Sequence, residues 1–511
     1  MPTDLWPSAA PTPHTTPTTF LKRALLLSLP FSAPLALALT LPMITGCDDE
    51  ESAQVNAGSS AGSSAGASAG AEAPEPPSSY TFESRFKAGE SSVSYSGQSA
   101  RLALIGALGA HMEGLEERIA RGALAPVEGG VVGELDVFFS CAMGVCEGEG
   151  HGVSLTLPTR QSTIGEISSG KDLVGKVAGN DPVGQRRDWV AEGVMGWSEP
   201  LSPEALVRFW FALAEANAIA IANGAAPLDP TGAPISAPHL TADGLHLAEL
   251  SEKFLFGALA LSQAADDYLD DDLEGKGLLS DNAAAEGDAG YSALEHAWDE
   301  GFGYFGAARD AGAFTAEEVA GSGGRSEYQR GHDADGDGVI DLTSEYHWSV
   351  ARYAAQRDRD GGTRFLQGAF EAFLAGRALI SGAGGALSDA QLEALRGHRD
   401  AALRAWEGAF AASVVHYLNG VLEQLDAPAA EWSFAQHAKE WSELKGLALA
   451  FQFNPRSAVQ GADFEALHAA IGVRPTLPSS PEAAAHRAAL VAARARLGEI
   501  FGFSDEALTA W

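Results

Sequence analysis

The stretch Gly331–Trp348, GHDADGDGVIDLTSEYHW, constrains this chain more than any other. Asp333, Asp335 and Asp337 alternate with small residues, Gly338 follows at the turn, and Asp341 stands ninth counting from Asp333. Carboxylates crowded on one short loop repel one another unless a hard cation sits among their oxygens. Calcium is the natural tenant, since it takes about six to eight oxygen ligands in a flexible shell. The spacing predicts an EF-hand-like calcium loop with Asp333, Asp335, Asp337, the Val339 carbonyl and Asp341 as ligands. Position twelve is Ser344 and the nearest acid, Glu345, comes one residue late, so closure of the shell rests on one of these two. The approach GSGGRSEYQRG is turn-rich and offers no helix before the loop. That points to a structural ion rather than to a sensor or buffer, with Tyr346, His347 and Trp348 presented from the next helix.

The 511 residues exceed one ordinary core, so two domains or one large helical domain are expected. Lys and Arg total 33 against 68 acids, a net charge of −35. Such a field repels nucleic acid and anionic lipid headgroups, which excludes nucleic-acid binding.

Near the start, Leu21–Gly46 places Lys22 and Arg23 before an apolar run, the layout of a signal peptide, and ends in Ile44-Thr45-Gly46-Cys47. That tetrapeptide resembles the lipobox of bacterial lipoproteins, in which the cysteine carries the lipid, so residues 1–46 are read as a signal peptide and Cys47 as the membrane anchor. Residues 47–79 continue as a Ser/Ala/Gly/Pro tract without apolar periodicity, a disordered tether. The folded part is expected over 80–511. Leu102, Leu104, Ile105, Leu108 and Met112 predict a helix over Gln98–Arg121. From about 129 to 160 the text turns to Val, Phe and Gly and predicts a small β-hairpin insert, its tip stapled by a Cys141–Cys146 disulfide. Helical spacing then dominates: Pro203–Asn223 behind the Ser202-Pro203 cap, Leu245–Leu269, Tyr291–Arg309, Thr343–Arg357, Gly362–Ile380, Ser388–Gln424, Ser433–Phe451, Asp463–Ile471 and Pro481–Phe501. The fold class is all-α, a large helical bundle or two packed bundle halves.

Three further places bear on chemistry. His296 and Glu300 share a helix face at i, i+4, a spacing that can hold a metal, and His437 lies in a related text, His-x-x-x-Trp-x-Glu; together they form a second candidate site. A buried core histidine is the competing reading of His296. The run Asp266–Asp272 gathers like charges at a helix end and needs water, salt or a cation to offset them. No GxSxG, P-loop, GxGxxG in a βαβ setting or HExxH occurs, so nothing positive argues for catalysis.

Segments matching in order, YTFE at Tyr80, SVSYSGQSARLALIGAL, KDLVGK, GLHLAELSEKFLFGALALSQAADDYL, HAWDEGFGYFG, DADGDGVIDLTSEYHWSVARYAAQRD and WSELKGLALAFQFNP, resemble the DUF4856 family of bacterial envelope lipoproteins. A more distant likeness is to imelysin-like envelope proteins associated with iron uptake. Their GxHxxE motif falls at His296, with Leu294 in place of the glycine and Asp299 in place of the glutamate. With the lipobox and the aspartate-rich loop, these resemblances point to a lipid-anchored cell-envelope protein, periplasmic or surface-facing, with calcium as its cofactor and a role in ligand binding or uptake, which the imelysin likeness extends to iron. A metal-dependent hydrolase or peptidase using His296, Glu300 and His437, and a surface adhesion or interaction module, are the alternatives.

Overall fold

A helix that is apolar on every side has to be surrounded by protein. The run Gly408–Leu418, GAFAASVVHYL, is of that kind, and the molecule is built around it. In the computed structural model, which describes residues 77–181 and 185–511, the principal helices are α1 Ser96–Glu113, α2 Gly130–Phe139, α3 Pro203–Ala222, α4 Leu247–Leu255, α5 Ala293–Phe305, α6 Ser349–Gly361, α7 Phe365–Ala383, α8 Asp389–Asp426, α9 Phe434–Ala448, α10 Ala462–Ile471, α11 Ala483–Phe501 and α12 Asp505–Ala510. The 38-residue α8 is the hub, flanked by α6, α7, α9 and α11. Behind it, α9 packs on α4, α4 on α1, and α1 on α2 and α5. Ala73–Trp511 holds together as one unit. The expected signal peptide, the lipobox with Cys47 and nearly all of the tether lie outside the described residues.

Local chemistry sets the helix ends. Ser202 accepts the Ala205 N–H with Pro203 at the first helical position, and Ser388 and Ser292 each close a capping box with Gln391 and Glu295. Glycines set how closely helices approach. A side chain at Gly376 would strike the Trp298 indole, whose Nε1 donates to the Phe373 carbonyl at 2.9 Å. One at Gly257 would strike Ala450, and there α4 runs on into π-helical turns, Phe256–Leu261 and Ala264–Tyr268.

Among the described residues the molecule is all-α, with isolated bridges in place of a sheet. The expected β-hairpin insert is absent. Val131, Leu135, Phe138 and Phe139 fall at helical spacing, and α2 buries them against α1 and α3. Glu215 on α3 accepts the Gly129 and Val132 N–H groups, each at 3.0 Å, supplying the cap that the local sequence lacks. Packing has overridden the strand preference of Val and Phe. Cys141 and Cys146 are joined by a disulfide across a tight 3₁₀ turn, Cα to Cα 5.0 Å. The helix expected from Thr343 begins only at Ser349, and Tyr346, His347 and Trp348 are buried rather than presented.

Candidate metal centre

The aspartate-rich loop hangs from two backbone bridges. Gly331 pairs antiparallel with Tyr346 across its base, and Ile340 pairs parallel with Thr159 from the segment after the disulfide. The only helical turn in its approach is the short 3₁₀ segment Ser326–Tyr328, so the flanking helices of an EF-hand are missing. Within the loop the carboxylates organise the backbone. Asp333 accepts the Gly336, Asp337 and Gly338 N–H groups at 2.8, 3.1 and 2.9 Å, and Asp335 accepts that of Asp337 at 3.1 Å. Asp337 in turn accepts the Val339 N–H at 3.0 Å.

Glu345 folds back into the loop. Its Oε1 accepts the Ala334 N–H at 2.9 Å and its Oε2 that of Asp341 at 2.8 Å. Asp333, Asp335 and Glu345 each turn an oxygen to a common point, all three within 4.8 Å of one another. Ser344 meets the protein elsewhere, accepting the Arg309 N–H through its carbonyl at 2.8 Å. Backbone donors, Gly338 first, hold Asp333 below its ordinary pKa, whereas burial pushes Glu345 up. The loop therefore combines open carboxylates with one buried carboxylate whose charge is poorly solvated.

A protein cation reaches this loop from a distance. Arg160, beside the Thr159 bridge, puts its guanidinium against Asp337, with Asp335 and Asp341 each 3.8 Å away. The neighbouring Gln161 donates to Asp341 Oδ1 at 2.9 Å and accepts the Leu342 N–H at 3.0 Å. Asp337 and Asp341 thus face Arg160, and of the triad Asp335 alone comes within reach of it. Nothing in the local sequence of either segment announces this contact.

The second sequence-derived site does not assemble. His296 Nδ1 lies 2.8 Å from Glu286 and its Nε2 3.8 Å from Glu300, which itself accepts from Gln98 at 2.7 Å. His437 is buried in another neighbourhood, where Trp432 donates to its Nδ1 at 3.1 Å. These three residues form no group of converging ligand atoms among the described residues. Asp299 is fully buried, held by Arg377 at 2.8 Å and by the Tyr80 hydroxyl at 2.8 Å, while Arg377 also donates to Glu295 at 3.0 Å. The Asp266–Asp272 run is answered largely by arginines. Asp270 meets Arg186 and Arg456, and Asp271 meets Arg396, Arg399 and Arg456.

One cluster escaped the sequence reading. Glu113 at the end of α1 and His246 and Glu249 at the start of α4 also bring ligand atoms within 4.8 Å. Its members come from distant segments, so no local spacing could reveal it. Burial, then the neighbouring His239, pulls His246 down to about 3. Glu249 is already engaged by Lys253 at 2.6 Å and Lys439 at 3.0 Å, and although burial opposes its charge, Lys253 above all brings it down to about 2. Two ammonium groups on one carboxylate disfavour a further cation there.

These features define an all-α domain carrying an acidic loop ahead of α6, the loop braced by a segment from far upstream. Residues 214–460 match the family described as Domain of unknown function (DUF4856). The matched stretch contains the whole loop and α4 to α9 but neither Arg160 nor the disulfide. No curated protein and no solved structure matches the chain.

Proposed function

We propose that this is a lipid-anchored cell-envelope protein whose helical domain is stiffened by one calcium ion at the aspartate-rich loop and serves in ligand binding or uptake rather than catalysis. The observation that carries the calcium reading is the convergence of Asp333, Asp335 and Glu345 within 4.8 Å on a loop of oxygen donors. Hard carboxylate oxygens without thiolate or imidazole suit calcium, and a cation there would offset the burial of Glu345. Asp337, the Val339 carbonyl and Asp341 are the further oxygens of the motif, and Glu345 takes the closing position that a strict EF-hand spacing gives to Ser344. The ion would pin the loop to α6 through Tyr346–Trp348, which makes its role structural. The anchor reading rests on the Ile44–Cys47 sequence, and iron-related uptake rests on the imelysin likeness alone.

Elemental analysis and thermal melts of the full chain in detergent test this. About one calcium per chain, and a melting temperature that falls in chelator and recovers with calcium, are expected; Asp335→Ala should abolish both. A chain that melts at the same temperature with chelator and with millimolar calcium would sink the reading.

A further inference from the structure

Most arginines of the described residues are held by a carboxylate, as the partners of Arg186, Arg377, Arg396 and Arg456 show. The α6 sequence SVARYAAQRDRDG contains two that are not. Arg357 is only 5 % exposed, yet its Nε and Nη1 meet no hydrogen-bond acceptor among the described residues. Its one nearby carboxylate, Asp360, is 3.9 Å from Nη2 and is already held by Arg359 at 2.6 Å. Five residues earlier Arg352 carries a buried Nε that is likewise unpartnered, and among the described residues it makes no ion pair. A desolvated, unpaired guanidinium is costly, and an acid-rich chain has carboxylates to spare for it.

Both arginines line one cavity of about 430 Å³ between α6, α8 and the end of α4. Tyr353, Tyr417 and Ser349 line the same cavity. His416 on α8 also lines it and is held neutral, its pKa drawn down to about 4 by burial and then by Arg357. The acids at this cavity, Glu252 and Asp360, are engaged by Lys253 at 3.1 Å and by Arg359, so the uncompensated charge facing it is positive. The nearby Arg330 feels the same excess: the Arg352 charge, more than burial, lowers its pKa.

We infer that this cavity is a binding site for a small organic anion bearing carboxylate or phosphate groups, with Arg357 and Arg352 as its charge-assisted donors and the tyrosine hydroxyls as orienting contacts. Guanidinium forks match planar carboxylates and phosphates, and the volume is that of a small-molecule pocket rather than of a bare ion. None of the loop carboxylates takes part, so the site stands or falls independently of calcium.

The test is calorimetry on the full chain in detergent at constant ionic strength, with succinate and glycerol phosphate as separate probes. One-to-one binding of at least one probe is expected; succinate alone identifies the carboxylate class and glycerol phosphate alone the phosphate class. Arg357→Met should weaken binding roughly tenfold or more, Arg357→Lys less so. Arg352→Met gives a second reading should the Arg357 variant misfold. Absence of binding by both probes at millimolar concentration, or binding that neither methionine variant weakens, would overturn the proposal.

Discussion

Two acidic clusters lie a short stretch of chain apart, and they are built on opposite plans. On α5, Glu295 and Asp299 are 0 % exposed and share Arg377, which is equally buried. Ser92, Ser94, Tyr80 and Ser381 take up the remaining hydrogen-bonding capacity, and Tyr80 stacks on Phe302 at 3.9 Å. In the loop, Asp333 and Asp335 lie at the surface and the nearest cation, Arg160, is half exposed. The first cluster carries its counter-charge permanently and is closed to any ligand. The second keeps oxygens open to solvent and so can exchange its cation. Acidic residues mark a site only where the counter-charge is removable, and by that test the loop qualifies and the α5 knot does not.

Breaking the knot should have the largest effect. Arg377→Met leaves two buried carboxylates unpaired and is expected to cost about 3–5 kcal/mol of stability, enough to expose the protein to aggregation or proteolysis. Urea unfolding monitored by circular dichroism measures it. A loss below about 1 kcal/mol would mean that the knot is solvated and that the contrast with the loop is false.

The loop side of the comparison is sharpened by separating its two closing residues. Glu345→Ala should remove the calcium-dependent rise in melting temperature, equivalent to about 2.7 kcal/mol at a hundredfold excess over Kd, whereas Ser344→Ala should leave it intact. The reverse pattern would restore the strict EF-hand spacing and displace Glu345 from the shell.

What could be read from the sequence follows the range of the interaction. The helices of the second half were legible because their apolar spacing and their caps, Ser202-Pro203 and Ser388 with Gln391, are local. The loop carboxylates were legible for the same reason. The β reading of residues 129–160 failed because the cap of α2 is Glu215, far along the chain, and because Val and Phe there are helix-packing residues. The Arg377 knot spans 78 residues to Asp299, and the Arg160 contact spans 177 to Asp337. No spacing rule reaches over such distances. The α6 arginines were in plain view in the sequence, but only burial shows which of them lack a partner.

A third acidic cluster falls between the two plans and can be tested by pH. Asp266 is nearly buried, and one of its oxygens has no hydrogen-bond partner among the described residues. Burial, with Asp270 adding repulsion, raises it to about 7, although the Arg186 N–H pulls the other way. A folded pKa above the unfolded value means that the native state binds the extra proton between about pH 4 and 7. The stability from this group is therefore fully present below about pH 4 and is lost as pH rises toward 7. Asp266→Asn should leave stability almost unchanged at pH 4 and raise it by roughly 2–4 kcal/mol at pH 8, seen as diverging melting temperatures. Equal effects at both pH values would show that the carboxylate is solvated and ionised throughout.

The smallest effect probes whether Arg160 is the loop's exchangeable cation. Its guanidinium rests on Asp337 and lies 3.8 Å from Asp335 and Asp341, yet its side chain is 46 % exposed, so the pairing is screened and contributes at most about 1 kcal/mol. Arg160→Ala removes that competitor. If calcium and the guanidinium draw on the same carboxylates, the variant should bind calcium a few-fold more tightly and melt slightly lower in chelator, two shifts of opposite sign that titration calorimetry and melts resolve. If Arg160 instead helps to shape the loop through the Thr159–Ile340 bridge, both quantities fall together. That outcome would make the upstream segment a scaffold of the loop and leave its carboxylates without a resident counter-charge.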